Sequence, residues 1–345
     1  MHLLISKNPF KSINMPSKAK VSILVCVYNG EEYIKDAIDS AIAQTLEDIE
    51  IIVINDGSTD STLDILNSYH DKRIKIFTQE NRGLGASRNK AMSLAEGEYI
   101  AFLDADDWLD EEMCETSYCS AKENDTDMTM FQIISFDENS KTSHESDWFN
   151  LKNFDESFDN RVFAPSEAHD VLFDSSVSAC QKIYRNDFLK SINASFPEGI
   201  YFEDMPFFYH VFLNAERINI IRKHLYIRRK HANSITEEID AKFLDTVPAG
   251  QELFKRFVEC GFYEDYKFDL IAYKINGPRM ALSSIVEDYR DELFDLIKED
   301  YEIVKKSQYY DDFLENLGPK KRKFFLDVLK SNSYSEFKEH NDNKY

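Results

Sequence analysis

The 345-residue chain is predicted to be an α/β protein: a mostly parallel sheet flanked by helices, followed by a helical appendage. Three observations predict it. Apolar runs of strand length recur, and each leads into a stretch with helical spacing. Two of those runs are apolar almost throughout, as in strands buried on both faces of a parallel sheet. No proline occurs between Pro16 and Pro165, so nothing there interrupts a strand or a helix.

The elements follow in order. Residues 21–28 (VSILVCVY) form the first strand, Asn29-Gly30 ends it, and 31–45 carry apolar residues at helical spacing. Residues 49–56 (IEIIVIND) form a second buried strand, and the turn 57–60 (GSTD) supplies an N-cap for the next helix. Residues 73–79 alternate like a strand, 84–97 are helical, and 98–104 (EYIAFLD) are a further strand. Such alternation describes a doubly wound unit, in which ligands lie outside the carboxyl ends of the strands. A strand at 126–136 follows, and then 137–161, whose seven carboxylates against three cations predict a solvated loop or a mobile lid. A helix near 166–174, a strand at 178–184 and two short strands, RINII and LYIRR, complete this part. From about 237 onward the pattern is helical with charged faces.

Composition excludes several classes. With 41 Lys+Arg against 63 Asp+Glu, the net charge of −22 repels a polyanion, so no nucleic-acid partner is expected. A 43% hydrophobic content with 26 Phe and 18 Tyr is enough to bury a core. The five cysteines (Cys26, Cys114, Cys119, Cys180, Cys260) form no CxxC pair and are expected to be buried free thiols of a reducing cytosol. The first twenty residues lack the roughly 7–15-residue apolar stretch of a signal peptide. No run of about 18 apolar residues occurs, so the expectation is a soluble, cytoplasmic protein.

Polar residues gather where the strands end: Asn29, Asp56, Asn81 and the run Asp104-Ala105-Asp106-Asp107. They converge on one rim, the predicted site. Side chains two apart on extended chain point the same way, so Asp104 and Asp106 face one ligand together. Hard carboxylate oxygens suit Mg²⁺ or Mn²⁺ completed by substrate phosphates; a capped acidic turn is the alternative. Asp56 is placed to accept a hydrogen bond from a base N–H, or to close an Asx turn. In ENRGLGASRN, Gly83 and Gly85 suggest a phosphate cradle, but Arg88 stands where GxGxxG needs its last glycine. A dinucleotide site is thereby disfavoured. Arg88 is left to pair with a diphosphate, to fix the aspartate loop, or to form a surface ion pair. Tyr28 and Trp108 are candidate walls for a base or sugar, or core aromatics.

Taken together, VSILVCVYNGEEYI, IEIIVINDGSTDST, NRGLGASRN and GEYIAFLDADD resemble the nucleotide-binding half of glycosyltransferase family 2, of inverting GT-A type. Cys26 departs from the family pattern, which has proline in the first strand. The segments SACQKIYRNDFL, FPEGIYFEDMPF and YIRRKHANSIT resemble the family's acceptor side, including its Glu-Asp motif. The resemblance implies a GT-A, Rossmann-like fold with a nucleotide-sugar half at 20–125, an acceptor half at 126–236 and a helical region at 237–345. It implies a UDP-sugar donor held by Tyr28, Asn29, Asp56, Asn81, Gly83, Arg88, Asp104 and Ala105. Asp106 and Asp104 would hold Mn²⁺ or Mg²⁺.

An inverting transfer needs a carboxylate base for the acceptor hydroxyl and charge neutralisation on the departing diphosphate. The resemblance makes Asp204 the base, with Glu203 as neighbour or alternative; plain helix capping is the other reading. The six cations within 217–231 include Arg228, Arg229 and Lys230, which, with His231 beside them, either aid the leaving group or form a solvated strand. The acceptor implied is a saccharide or lipid-linked saccharide of cell-surface polysaccharide assembly. PKKRKFF (319–325) either touches an anionic membrane face, at about 1 kcal/mol per cation, or starts a solvated helix. Two rivals stand against the transferase. A sugar nucleotidyltransferase would want a basic, glycine-rich loop after the first strand, where VYNGEEYI offers acids. An inactive GT-A subunit that only binds saccharide would not need Asp104, Asp106 and Asp204.

Overall fold

A computed structural model describes residues 18–231 and 240–341. The reading of the first 17 residues, and of the 232–236 end of the acceptor-side segment, falls outside them. Strand β1 (Val21–Val27) is buried at all seven positions, because it pairs in parallel with β2 (Ile49–Asn55) on one side and β4 (Tyr99–Asp104) on the other. Strand β3 (Ile74–Thr78) extends the sheet beyond β2, again in parallel. The crossovers are α1 (Ile34–Ile42), α2 (Thr62–Asn67) and α3 (Leu84–Leu94). In the order β3-β2-β1-β4 the winding reverses between β1 and β4. The ends of those two strands therefore open the ligand crevice.

Past β4 the sheet becomes mixed. The elements are β5 (Trp108–Leu109), α4 (Met113–Glu123), β6 (Met128–Asp137), β7 (Thr142–Glu145), β8 (Lys182–Arg185), α5 (Asn186–Ser191), α6 (Asp204–Asn214) and β9 (Ile218–Lys230). The sheet runs β3-β2-β1-β4-β8-β6-β9-β5, with β8 antiparallel to both neighbours and β7 paired to β6. Four expectations are corrected or refined here. The two short strands RINII and LYIRR are one strand, β9, because register shifts around Gln132 of β6 absorb the polar interruption at Arg222-Lys223. Residues 137–161 are only in part the expected solvated loop: β7, exposed throughout, makes a hairpin with β6, and Leu151, Phe154 and Phe158 are buried. Arg222 fastens that stretch, donating to the carbonyls of Leu151 (2.9 Å) and Phe154 (2.6 Å). The helix near 166–174 is a run of 3-10 turns, and 178–184 splits into a 3-10 turn (Ala179–Gln181) and β8.

The C-terminal region is helical as expected: α7 (Thr246–Glu259), α8 (Tyr263–Ser284), α9 (Arg290–Lys306), α10 (Tyr310–Asn316), α11 (Pro319–Lys330) and α12 (Tyr334–Asn341). Leu253, Phe257, Tyr266 and Leu270 join the core of the sheet, whereas Phe294, Ile297, Tyr301, Phe313 and Phe325 build a second core. Phe254 packs against both. Among the described residues no helix is long and apolar enough to cross a membrane. All five cysteines are free thiols; Cys26, Cys114 and Cys180 are buried, but Cys119 is exposed and Cys260 only half-buried.

Candidate active site

The crevice is built from loops that leave β1, β2, β3 and β4. Asn29, with φ of +51°, accepts from the Thr59 amide (2.8 Å), and Gly30 N–H donates to Thr62 Oγ1 (2.9 Å), which knits the first loop to the second. Tyr28 projects from the end of β1 and is 52% exposed, free to face a ligand. Asp56 is buried beneath the third loop: its oxygens accept from Gln79 Nε2 (2.7 Å), Arg82 N–H (3.0 Å) and Gly83 N–H (2.8 Å). Gly83 turns there at φ +85°, a conformation that favours glycine. Asn81 Oδ1 accepts from the same Gly83 amide (3.2 Å).

The aspartate run at the end of β4 divides by role. Asp107 is buried and structural, accepting from Tyr226 Oη (2.7 Å) and Arg229 N–H (2.7 Å). Arg229 clamps the loop from outside, donating to the Asp106 carbonyl (2.9 Å), Glu138 (2.6 Å) and Asp36 (2.6 Å) between the Tyr33 and Trp108 rings. Each of its three nitrogens thus donates to the loop or to a neighbouring carboxylate, and Arg229, being buried, does not belong to a solvated strand face. Trp108 likewise packs on Phe136 and Arg229 instead of lining the crevice. Asp104, Ala105 and Asp106 remain partly open. Asp106 Oδ2 lies 3.0 Å from His231 Nε2, and the His231 ring rests on Tyr33 at 4.6 Å. Burial, and then the charge of Asp104, push the Asp106 carboxyl up. A divalent cation would relieve that repulsion. Among the described residues no three His, Cys, Asp or Glu side chains form a closed metal cage, so an ion here would need phosphate oxygens and water.

Arg88, on the first turns of α3, is buried, and its fork joins the two halves of the site. Nη2 donates to Asp104 Oδ1 (2.9 Å), while Nη1 donates to Glu203 Oε1 (2.7 Å) and to Asp204 Oδ1. It fixes the aspartates, as one of its three sequence readings has it, and being buried it is no surface ion pair. Glu203 is the N-cap of α6 and Asp204 its first residue, so the helix dipole favours their ionised forms. Asp204 Oδ2 also accepts from Ala179 N–H (3.1 Å), yet 22% of its side chain stays accessible. Burial raises its carboxyl, with Arg88 opposing. Lys182, fully buried in β8, donates to the carbonyls of Ser176 (2.9 Å) and Ser178 (2.7 Å) and so holds the turn that carries Ala179. Burial pushes its ammonium down to about 7. Sequence reading passed over Lys182, and its strand, which also carries Arg185, offered no local signal to single it out.

Glu203 is pushed up to about 7 by burial and then by the Asp204 charge, against the pull of Arg88. A carboxyl raised on folding favours the folded state below its unfolded value near 4.5, and that advantage is lost as pH rises through about 7. Glu203→Gln should therefore gain melting temperature relative to the parent as pH climbs from about 5 to 8. A pH-independent difference between the two melting curves would refute the buried charge.

Residues 22–181 match glycosyl transferase family 2. The chain is 33% identical over 259 residues to EpsH of Bacillus subtilis (strain 168), a glycosyltransferase by name, covering 72% of each chain. It is 33% identical over 236 residues to the uncharacterized glycosyltransferase EpsJ of the same organism, covering 63% of each. The crystal structure of S. aureus TarS 1–349 in complex with UDP-GlcNAc superposes with a TM-score of 0.69 at 21% identity, covering 94% of this chain and 93% of that one. At that identity the likeness concerns the fold.

Proposed function

The chain belongs to glycosyltransferase family 2, and from that premise we propose that it moves a sugar from a UDP-sugar to a saccharide or lipid-linked saccharide, with inversion, in cell-surface polysaccharide assembly. The observation that carries the reading is the Arg88 fork, which brings the β4 aspartate end and the Glu203-Asp204 pair into one crevice. Nucleotide-sugar transfer needs both: an anion-tolerant donor end and an acceptor base.

In this reading the donor half is 20–125, the acceptor half 126–236 and the helical region 237–345. Tyr28 gives the base a face. Asp56 holds the Gln79–Gly83 loop and keeps acceptor capacity for a base N–H, since a carboxylate offers about four lone-pair sites. Asn29, Asn81, Gly83 and Ala105 shape the wall. Asp104 and Asp106 would hold Mn²⁺ or Mg²⁺, with His231 beside Asp106; the carboxylate pair suits a hard cation. The ion, when bound, supplies charge neutralisation to the leaving diphosphate. Asp204 takes the proton from the acceptor hydroxyl, and Arg88 and the Ala179 amide keep its carboxylate aimed. Bound UDP in the TarS complexes and glycosyltransferase names among the relatives support the donor class. The exposed Lys320, Arg322 and Lys323 on α11 support peripheral contact with the inner, cytoplasmic face of a membrane.

The donor side is tested by titrating UDP with and without Mn²⁺. Mn²⁺ should tighten UDP about tenfold or more, and Asp106→Asn should remove most of that gain. Equal UDP affinity in both conditions would end the metal assignment. Hydrolysis across a nucleotide-sugar panel would separate the transferase from an inactive saccharide-binding subunit.

A further inference from the structure

The Phe196–Glu203 loop, which leads into the Glu203-Asp204 pair, is held from both ends. At its start α3 grips it: Asn89 exchanges hydrogen bonds with Phe196 (2.9 and 2.8 Å), and Gly85 lies so close beneath that a Cβ there would stand 2.1 Å from the Pro197 carbonyl oxygen. At its end the helical region grips it. Asp245, the residue before α7, accepts from Tyr201 N–H at 2.8 Å, and the Phe243 ring meets Phe202 edge-on at 5.6 Å. Between the grips the backbone is strained. Gly199 has φ +76°, which glycine tolerates, but Phe202 has φ +62°, which a bulky aromatic residue rarely adopts. Strain of this kind persists only where surroundings over-determine it. Phe243 and Asp245 are those surroundings.

What the strained loop delivers is Tyr201. Tyr201 is 46% exposed, two residues from Glu203 and three from Asp204, although core-forming aromatics surround it in sequence. A pyranose has an apolar C–H face and a polar hydroxyl rim, and a half-exposed phenol ring meets both, with a flat apolar body and a polar tip. We propose that Tyr201 is the ring on which the acceptor sugar rests, and that Asp245 and Phe243 are positioning residues through which the helical region holds it there. The inference rests on the transferase reading and deepens its acceptor side.

The test uses the full chain with UDP-glucose, UDP-galactose and UDP-N-acetylglucosamine as donors, and para-nitrophenyl β-glucoside, β-galactoside and N-acetyl-β-glucosaminide as acceptors. Tyr201→Ala should raise the acceptor KM about tenfold while the donor KM moves less than twofold. Tyr201→Phe should restore most of the acceptor affinity, because the ring carries the contact. Asp245→Ala, assayed about 15 °C below its own melting midpoint, should raise the acceptor KM three- to tenfold with a smaller change in kcat. An unchanged acceptor KM in Tyr201→Ala, or a Tyr201→Phe variant as impaired as Tyr201→Ala, overturns the contact. If Asp245→Ala loses only thermal stability, the positioning role is overturned. A parent protein that hydrolyses a donor yet transfers to none of these glycosides overturns the sugar contact alone; one that hydrolyses no donor overturns the transferase reading beneath it.

Discussion

Asp204→Asn should lower transfer by about 10²–10⁴-fold while UDP binds within about twofold of the parent affinity. The substitution keeps shape and removes charge. An asparagine oxygen can still accept from the Ala179 amide, so the first turn of α6 and its grip on the 178–181 turn survive. What is lost is the lone pair basic enough to take a proton from a hydroxyl. Asp204 is suited to that task because its environment is balanced. Burial raises the carboxyl, Arg88 holds it ionised, and part of the side chain still reaches solvent in the crevice. UDP affinity should be spared, since the proposed donor side lies at the ends of β1, β2, β3 and β4, whose loops keep their own ties. Isothermal titration with UDP and single-turnover transfer report the two quantities separately. Transfer within tenfold of the parent would remove Asp204 as the base; Glu203, sharing the same Arg88 nitrogen, would be examined next through Glu203→Gln.

How much of this was legible beforehand depended on the range of the interactions. The strands β1, β2 and β4 were legible because a strand buried on both faces has no room for polar residues, so an unbroken apolar run marks it. Asp104 and Asp106 were legible as polar residues placed where such a run stops. Glu203-Asp204 was visible only through family resemblance, since a helix start alone would explain two acids there. Arg88 was visible as a cation able to fix the aspartate loop but not as a bridge to Glu203-Asp204, and Arg229 was not visible as a clamp: Arg88 finds carboxylates 16, 115 and 116 positions away, and Arg229 finds them 91 and 193 away. No local pattern encodes such pairings. The unity of β9 was hidden for a related reason, because the bulge that absorbs Arg222-Lys223 depends on its partner strand β6. The positive φ at Phe202 leaves no trace in composition at all, since phenylalanine is an unfavourable choice for it.

The second large effect belongs to Arg88, and two substitutions separate its charge from its shape. Arg88→Met removes the one cation that bonds Asp104, Glu203 and Asp204, in a place where Arg88 itself is buried against the Phe196 and Phe102 rings. Breaking a buried ion pair by removing one partner costs about 3–5 kcal/mol, because the other partner is left charged and dry. For a chain of this size that should lower the melting temperature by about 4–7 °C. The loss should shrink toward acidic pH, where the stranded carboxylates can take up protons, a direction that methionine packing alone does not predict. Arg88→Lys retains the charge but replaces a planar fork with one ammonium, which cannot hold Asp104 on one nitrogen and Glu203-Asp204 on another. That variant should recover most of the stability and little of the transfer, with kcat reduced at least about a hundredfold, as expected when a reacting group is misplaced by about an ångström. Because a shorter, single-headed cation lets the β4 end and α6 drift apart, its defect should appear in kcat more than in UDP affinity. If Arg88→Lys transfers sugar at the parental rate, the fork contributes charge only, and the coupling of the donor and acceptor ends must be sought in the Gly85–Pro197 and Asn89–Phe196 contacts instead.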